Sequence, residues 1–191
     1  MNRRLIFRAL LAGLLSALTI PFMGCGAVGV YAQQHDPTMQ SSGPEFVTAY
    51  NVQENTTTCE EKLAGEGSLG QFTYRGLRVD SNDFTVTDAC PNGNLQVAGG
   101  AGIFRFSDGS LMSVNVTGGS ICIDANELGH LTETYQVTGG TGRFQNATGA
   151  LSHTATLNVV LSDLSGNPVL LTHTGEFNGT VIGAAAQGQQ Q

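Results

Sequence analysis

The chain of 191 residues carries a net charge of −7, and 40% of its residues are hydrophobic while only 12% are charged. This length allows one domain, or two very small ones, with enough apolar residues for one hydrophobic core. An acidic chain with scattered arginines cannot neutralise a phosphate backbone, which argues against nucleic acid as a partner. The 26 glycines and the many threonines and asparagines are typical of an all-β domain.

Residues 1–32 have the organisation of a secretory signal peptide. Met1–Arg8 is basic, Ala9–Ile20 is an unbroken run of apolar and small residues, and Pro21 follows. The run is shorter than the roughly 20 residues that span a bilayer, which favours export over a permanent anchor. We therefore expect a secreted or extracytoplasmic protein.

Two processing sites compete at the end of this segment. Val30–Ala32 precedes Gln33 and fits a general signal peptidase, which is the favoured alternative. Phe22–Cys25 resembles a bacterial lipobox, with phenylalanine where an aliphatic residue is usual. In that alternative Cys25 carries lipid and anchors the protein to a membrane, and otherwise no membrane partner is expected.

The rest of the chain is predicted to be one β domain with two flanking segments. Residues 33–45 are polar and contain proline, which predicts a flexible linker, and residues 183–191 form a low-complexity tail predicted to be disordered. Between them, at 46–182, apolar and polar residues alternate with the period of half-buried strands. Such a series favours a single closed antiparallel eight-stranded β-barrel, with a sandwich as second choice. The predicted strands span residues 46–53, 69–79, 84–87, 102–106, 111–117, 131–138, 151–161 and 169–181.

Three cysteines fall within this domain, Cys59, Cys90 and Cys122. In an oxidising compartment we expect one disulfide and one free, buried thiol, and the spacing leaves all three pairings open. No CxxC motif is present, which argues against a zinc or redox site. Neither a metal nor a cofactor is therefore expected.

An internal repeat favours a barrel built from duplicated hairpins. Residues 95–111 align without gaps on 135–151, with eight of seventeen positions identical. The second copy contains Gly139, Gly140 and Gly142 ahead of Phe144. Neither copy matches a phosphate-binding motif and no helical pattern follows either. These glycines are instead predicted to form a structural turn, where they supply positive φ or close backbone approach.

The segment GGTGRFQNATG at 139–149 resembles the GGTGxF segment of plant dirigent proteins and allene oxide cyclase barrel-like proteins. GEGSLGQFTYRG at 65–76 is similar to a glycine-rich LGxF segment in bacterial secreted proteins of the same group. The resemblance extends over residues 46–181. It implies an eight-stranded barrel with an apolar cavity, often trimeric, so a homo-oligomer (trimer or dimer) is a partner to expect. Functions in the group include cyclisation of a fatty-acid epoxide and stereocontrol of radical coupling, but their catalytic residues match no positions here.

Alternation places four polar side chains on otherwise apolar strand faces. Glu133 and Tyr135 share one such face, and His153 and His173 lie on the apolar faces of the last two strands. A carboxylate on an apolar face has a raised pKa unless a partner satisfies it. Glu133 and Tyr135 are therefore candidate catalytic residues, with Glu133 acting as a general acid or orienting a ligand hydroxyl. In the alternative interpretation this face is the barrel exterior or an interface, or an arginine pairs with Glu133. The arginines considered are Arg75, Arg78 and Arg105.

The two histidines are candidate ligand-binding residues, and they are not expected to meet. Both apolar faces carry odd-numbered residues, which requires an odd-length loop such as 165–167 and pairs His173 with Val159. At about 3.3 Å per residue, His153 then lies roughly 20 Å away along the hairpin. This register argues against a joint metal site.

These observations support two hypotheses from different classes. The first is a secreted barrel that binds a small apolar or amphipathic ligand in its lumen, with cofactor-free cyclase, isomerase or stereocontrol activity as an extension. The alternative is a non-catalytic structural or partner-binding domain whose barrel is filled by its own side chains, which the seven phenylalanines beyond residue 32 could supply.

Overall fold

A computed structural model describes residues 33–185, and most of them lie in β-strands. The predicted signal segment, with both processing sites, lies outside the described residues. Within residues 33–185, no helix is long and apolar enough to cross a membrane. The strands are β1 Gln34–His35, β2 Thr38–Asn51, β3 Thr56–Gly67, β4 Phe72–Thr85, β5 Asn94–Phe106, β6 Leu111–Ile123, β7 Gly129–Thr141, β8 Thr148–Ser162 and β9 Pro168–Ile182, with one 3₁₀ turn at Gly142–Phe144.

Strands β2 to β9 form a closed antiparallel barrel. Each strand pairs with its neighbour in sequence, and β9 closes the sheet by pairing with both β8 and β2. The short β1 continues the line of β2 along the same edge of β9. The predicted fold, a single eight-stranded antiparallel barrel, is confirmed.

One of the predicted strands is wrong and one real strand was missed. Phe84–Thr87 is not a separate strand, because residues 84 and 85 only complete β4. Strand β3 has no counterpart among the predicted strands. Its inward-facing residues include Thr57, Cys59 and Glu61, so it lacks the apolar alternation by which strands are recognised.

The segment predicted as a flexible linker, residues 33–45, is largely part of the barrel. Residues 38–45 belong to β2, where Met39, Ser41 and Glu45 point into the lumen and are buried. The polar composition concealed this strand. Its backbone groups are satisfied by pairing with β3 on one side and β9 on the other.

The lumen is filled at one end, which we call the plugged end, where β3 joins β4, β5 joins β6 and β7 joins β8. Aromatic rings pack against one another there, with Phe104 and Phe177 at 5.0 Å and Phe106 and Phe144 at 4.8 Å between ring centroids. The Arg143 guanidinium lies 4.6 Å from the Phe144 ring centre. Edge-to-face and offset aromatic pairs of this kind stabilise beyond the area they bury. We call the opposite end of the barrel the pocket end.

Each copy of the repeat contains a shift in strand register at an equivalent glycine, one copy in β5 and the other in β7. The register of β5 against β4 shifts next to Gly99, and that of β7 against β6 shifts at the equivalent Gly139, whose φ is 122°. A Cβ at Gly140 would lie 1.9 Å from the carbonyl oxygen of Leu111. Gly142, with a φ of 58°, then opens the 3₁₀ turn that buries Phe144. The repeated glycines thus accommodate bulges and close strand contacts.

A disulfide joins Cys90 to Cys122, with 5.2 Å between their Cα atoms. It links the loop between β4 and β5 to the end of β6, at the pocket end of the barrel. Cys59 is free and buried. The expected arrangement of one disulfide and one buried thiol is confirmed, and the structure selects one of the three pairings.

Replacing both Cys90 and Cys122 by serine should lower the free energy of unfolding by about 2–4 kcal/mol, because the unfolded chain regains the freedom of the closed loop. Urea denaturation measures this difference. Dithiothreitol should lower the Tm of the wild type and of Cys59→Ala, which keeps the disulfide, but not that of the double variant. A reductant effect that persists in the double variant would contradict this assignment.

Candidate ligand-binding site

A cavity of about 380 Å³ occupies the pocket end of the barrel. Its walls are mostly apolar, and its floor presents Glu45, Cys59, Arg78 and Asp80. A larger depression of about 660 Å³ lies at the plugged end, but its lining residues take no part in the buried charge cluster described next. The apolar wall residues include Val47, Leu95, Ile121, Ile123, Leu157 and Val159.

The floor of this cavity is organised by the buried guanidinium of Arg78. Its Nη2 donates to Glu45 Oε1 at 2.7 Å, and its Nη1 donates to Glu61 Oε1 at 2.7 Å. Its Nε donates to both oxygens of Asp80, at 2.9 and 3.1 Å. A fourth carboxylate, Glu133, has Oε1 3.8 Å from the same Nε. One permanent cation therefore holds four carboxylates that come from four strands.

Local strand geometry brings these charges together. In β4 the side chains alternate strictly, so Tyr74, Arg78 and Asp80 point inward while Leu77 points outward and is half exposed. Glu61 of the adjacent β3 faces inward beside Arg78. Once β2 joins the sheet, Glu45 completes the three carboxylates that bond directly to Arg78.

Glu133 and Tyr135 lie deeper, beneath the floor. Tyr135 donates from its hydroxyl to Glu133 Oε2 at 2.5 Å. His153 Nδ1 lies 3.5 Å from the same oxygen, and its Nε2 lies 3.4 Å from the hydroxyl of Ser41. All of these side chains are buried. Glu133 faces the lumen, and Arg78 lies beside it, which corresponds to the alternative interpretation in which an arginine pairs with Glu133.

The two histidines meet, which overturns the prediction that they lie roughly 20 Å apart. Their rings stack at 4.9 Å between centroids, and His153 also stacks on Phe177 at 3.8 Å. His173 Nδ1 lies 3.4 Å from Glu45 Oε2. The histidines therefore connect the Glu133 side of the cluster to the Glu45 side.

The error had two causes. His173 pairs with Leu157 rather than with Val159, which brings the histidines two residues closer along the strands. In addition, a count of residues along a flat hairpin gives the distance between backbone positions and not the distance between side chains. Strands in a barrel are tilted, and side chains that point toward the axis converge there, so backbone separation overestimates the distance between rings.

Burial raises the pKa of a carboxyl and the charge of Arg78 lowers it, and the balance differs among the four carboxylates. For Glu45, burial alone would raise the pKa, but Arg78 and His173 outweigh it and lower the pKa to about 2. For Glu133, burial is likewise outweighed, by the contacts with His153 and Arg78, and the pKa is lowered. Burial raises the pKa of Asp80, and burial with repulsion by Glu133 raises that of Glu61 well above its usual range. Glu61 therefore retains a proton more readily than Glu45.

Cys59 contributes an unreactive thiol to the floor. Burial, assisted by the negative charge of Glu45, raises the pKa of its thiol. Its Sγ lies 3.8 Å from Asp80 Oδ2. Because the thiolate is the nucleophilic form, a thiol kept protonated in this way acts as a small apolar surface rather than as a catalytic group.

Glu45, Glu61 and His173 offer three potential metal-ligand atoms, all within 4.8 Å of one another. Arg78 already donates hydrogen bonds to both of these carboxylates. A metal ion would have to share them with a fixed guanidinium at close range. The arrangement is better described as an ion-pair cluster centred on arginine.

The four site residues predicted from sequence are brought together in the lumen, but none of them lines the cavity. Glu133, Tyr135, His153 and His173 form the layer beneath the floor. The polar groups that face the cavity, above all Arg78 with its neighbours, were missed as site residues. No local signal in the sequence points to them, because the alternation of Arg78 and Asp80 with apolar Leu77 and Val79 suggests that the charged side chains face solvent.

Arg78→Met should lower the free energy of unfolding by about 3–5 kcal/mol, because it leaves buried carboxylates without their cation. The matched control is Arg75→Met on the same strand, whose exposed side chain pairs with Glu60, and there we expect about 0–1 kcal/mol. Urea denaturation of both variants at pH 7 gives the comparison.

The loss in Arg78→Met should shrink as the pH falls from about 7 to about 5. Without the guanidinium, the pKa values of the carboxylates rise above their unfolded values, so the folded variant is favoured at low pH and destabilised as the pH increases. Denaturation of variant and wild type at each pH measures the difference between them. If the difference in free energy of unfolding between Arg78→Met and the wild type stays constant with pH, the destabilisation comes from lost packing and not from unpaired charge.

No family model and no curated protein matches the chain. Among solved structures, the chain is similar to the pterocarpan synthase dirigent protein GePTS1, with a TM-score of 0.45 and 13% identity over 93% of this chain and 100% of that chain. The fold is assigned from the strand pairing of this chain and not from that similarity. Eight antiparallel strands close into a barrel, which is the fold implied by the resemblance to dirigent and allene oxide cyclase-like proteins.

Proposed function

We propose that the protein binds a small apolar or amphipathic molecule in the cavity at the pocket end of the barrel. The observation that carries this proposal is the cavity of about 380 Å³, with apolar walls and a charged floor. Small-molecule sites have this composition, in which apolar walls supply affinity and a few polar groups fix orientation. The aromatic side chains of the plugged end make the lumen a pocket with one mouth.

The alternative, a barrel filled by its own side chains, describes only the plugged half. There Phe104, Phe106, Phe144 and Phe177 are buried against one another. Above the buried charged layer, the strands surround the cavity of the pocket end. A protein that needed only a filled barrel would gain stability from larger side chains on these walls, since burying apolar area is favourable.

The buried layer has a positioning role in this proposal. Glu133, Tyr135, His153 and His173 orient Arg78 and its carboxylates from below and do not touch the ligand. If the bound molecule is isomerised or cyclised without a cofactor, Asp80 is the group placed to exchange a proton with it. Burial raises its pKa, so this carboxyl accepts a proton more readily than a free aspartate does.

The disulfide supports an extracytoplasmic site of action. Cys90 and Cys122 form a structural bond, and such bonds persist mainly in oxidising compartments. Together with the signal-like segment at residues 1–32, this supports secretion, with lipid attachment at Cys25 as the alternative.

The neutral fluorophore N-phenyl-1-naphthylamine tests the pocket directly, because its emission rises in apolar surroundings. We expect saturable binding to the wild type. Val159→Trp places an indole on the cavity wall at its exposed edge and should weaken binding by about tenfold or more. The dye is excited beyond the absorption of indole, so the introduced tryptophan does not interfere.

Val160→Trp is the matched control, because Val160 is the next residue of β8, is exposed and does not line the cavity. It should bind the dye like the wild type. No saturable binding to the wild type, or equal weakening by both substitutions, would overturn the proposed function.

A further inference from the structure

The pocket end of the barrel carries a strong negative charge. Each of the four loops at this end contains at least one acidic residue, and none of these loops, all within the described residues, contains lysine or arginine. His130, near the start of β7, contacts one of these loops, with its Nε2 3.0 Å from Asp124 Oδ2. The acidic loop residues are Glu54, Asp88, Asp124, Glu127 and Asp163.

The basic residues of the barrel lie elsewhere. Lys62 and Arg75 project from the outer face and pair with Glu60. Arg143 lies at the plugged end, where it pairs with Asp108. Arg105 lines the depression at that same end. Among the lysines and arginines of residues 33–185, only Arg78 reaches the cavity, and its donors are already directed at carboxylates.

The cavity itself repeats this imbalance. Glu45 and Asp80 on the floor and Glu127 at the mouth face the space together with the single guanidinium of Arg78. Glu61 and Glu133 lie directly behind them. A carboxylate offers about four acceptor positions, and Arg78 occupies only some of them. The free hydrogen-bonding capacity of the floor therefore consists of acceptors.

We propose that the ligand of this pocket is a cationic amphiphile, an apolar body that carries an ammonium group. The apolar part would contact the walls, and the ammonium group would donate hydrogen bonds to Asp80 and Glu45. The acidic loops would attract such a molecule from a distance and repel carboxylates and phosphates. This inference rests on the proposed function, because it names the class of ligand for the same cavity.

Three naphthalene derivatives of similar size test the charge preference: 1-naphthylmethylamine, 1-naphthalenemethanol and 1-naphthoic acid. Isothermal titration at low salt and neutral pH should show the amine binding about tenfold tighter than the alcohol, and the acid weakest. The advantage of the amine should decrease at high salt, because the loop charges are exposed and screened.

Two variants locate the source of the preference. Asp80→Asn and Glu127→Gln each remove one negative charge from the cavity, and each should reduce the ratio of amine to alcohol affinity about threefold or more. Glu66→Gln, an exposed position at the plugged end, removes the same charge elsewhere and should leave the ratio unchanged. If Asp80→Asn fails to fold, Glu127→Gln at the mouth and the salt series decide the outcome.

The outcomes separate this inference from the proposed function. If the alcohol or the acid binds as tightly as the amine, or if the ratio is unchanged in the folded cavity variants, the cationic ligand is excluded while the pocket remains. If neither N-phenyl-1-naphthylamine nor any of the three naphthalenes binds, the proposed function fails first, and this inference with it.

Discussion

The guanidinium of Arg78 makes it energetically feasible for carboxylates to occupy the centre of the barrel. An ionised carboxylate without a partner costs several kcal/mol in such surroundings. Glu45, Glu61 and Asp80 come from three strands, and each accepts a hydrogen bond from this one side chain. The floor of the cavity is therefore a single unit in which the position and the charge of each member depend on Arg78.

The barrel divides its lumen between stability and binding. The plugged end uses aromatic packing, such as Phe104 against Phe177, and supplies the apolar burial that a small β domain requires. The pocket end leaves space beneath its loops and keeps charges there that contribute little net stability. The stability that the plugged end supplies thus allows the pocket end to keep side chains that are arranged for a ligand and not for packing against one another.

Sequence alone predicted the fold wherever the inward-facing residues are apolar. Strands β7, β8 and β9 follow this rule, and Glu133 stood out because its neighbours Leu131 and Val137 are apolar. Strand β3 was not predicted because Thr57 and Glu61 point inward, where apolar residues are expected. Arg78 was not predicted as a site residue for a related reason, since an arginine in a strand ordinarily faces solvent. Its burial depends on carboxylates from other strands, which no local pattern reveals.

The closure of the barrel by its first and last long strands has a kinetic consequence. Phe46 of β2 pairs with Leu170 of β9, across most of the chain length. Contacts of such high sequence separation slow folding, because the entropy of closing the long loop is lost before the pairing compensates for it. During synthesis, the barrel cannot close until β9 has emerged, and until then Arg78 and its carboxylates remain hydrated. Assembly of the charged floor is therefore expected among the last steps of folding.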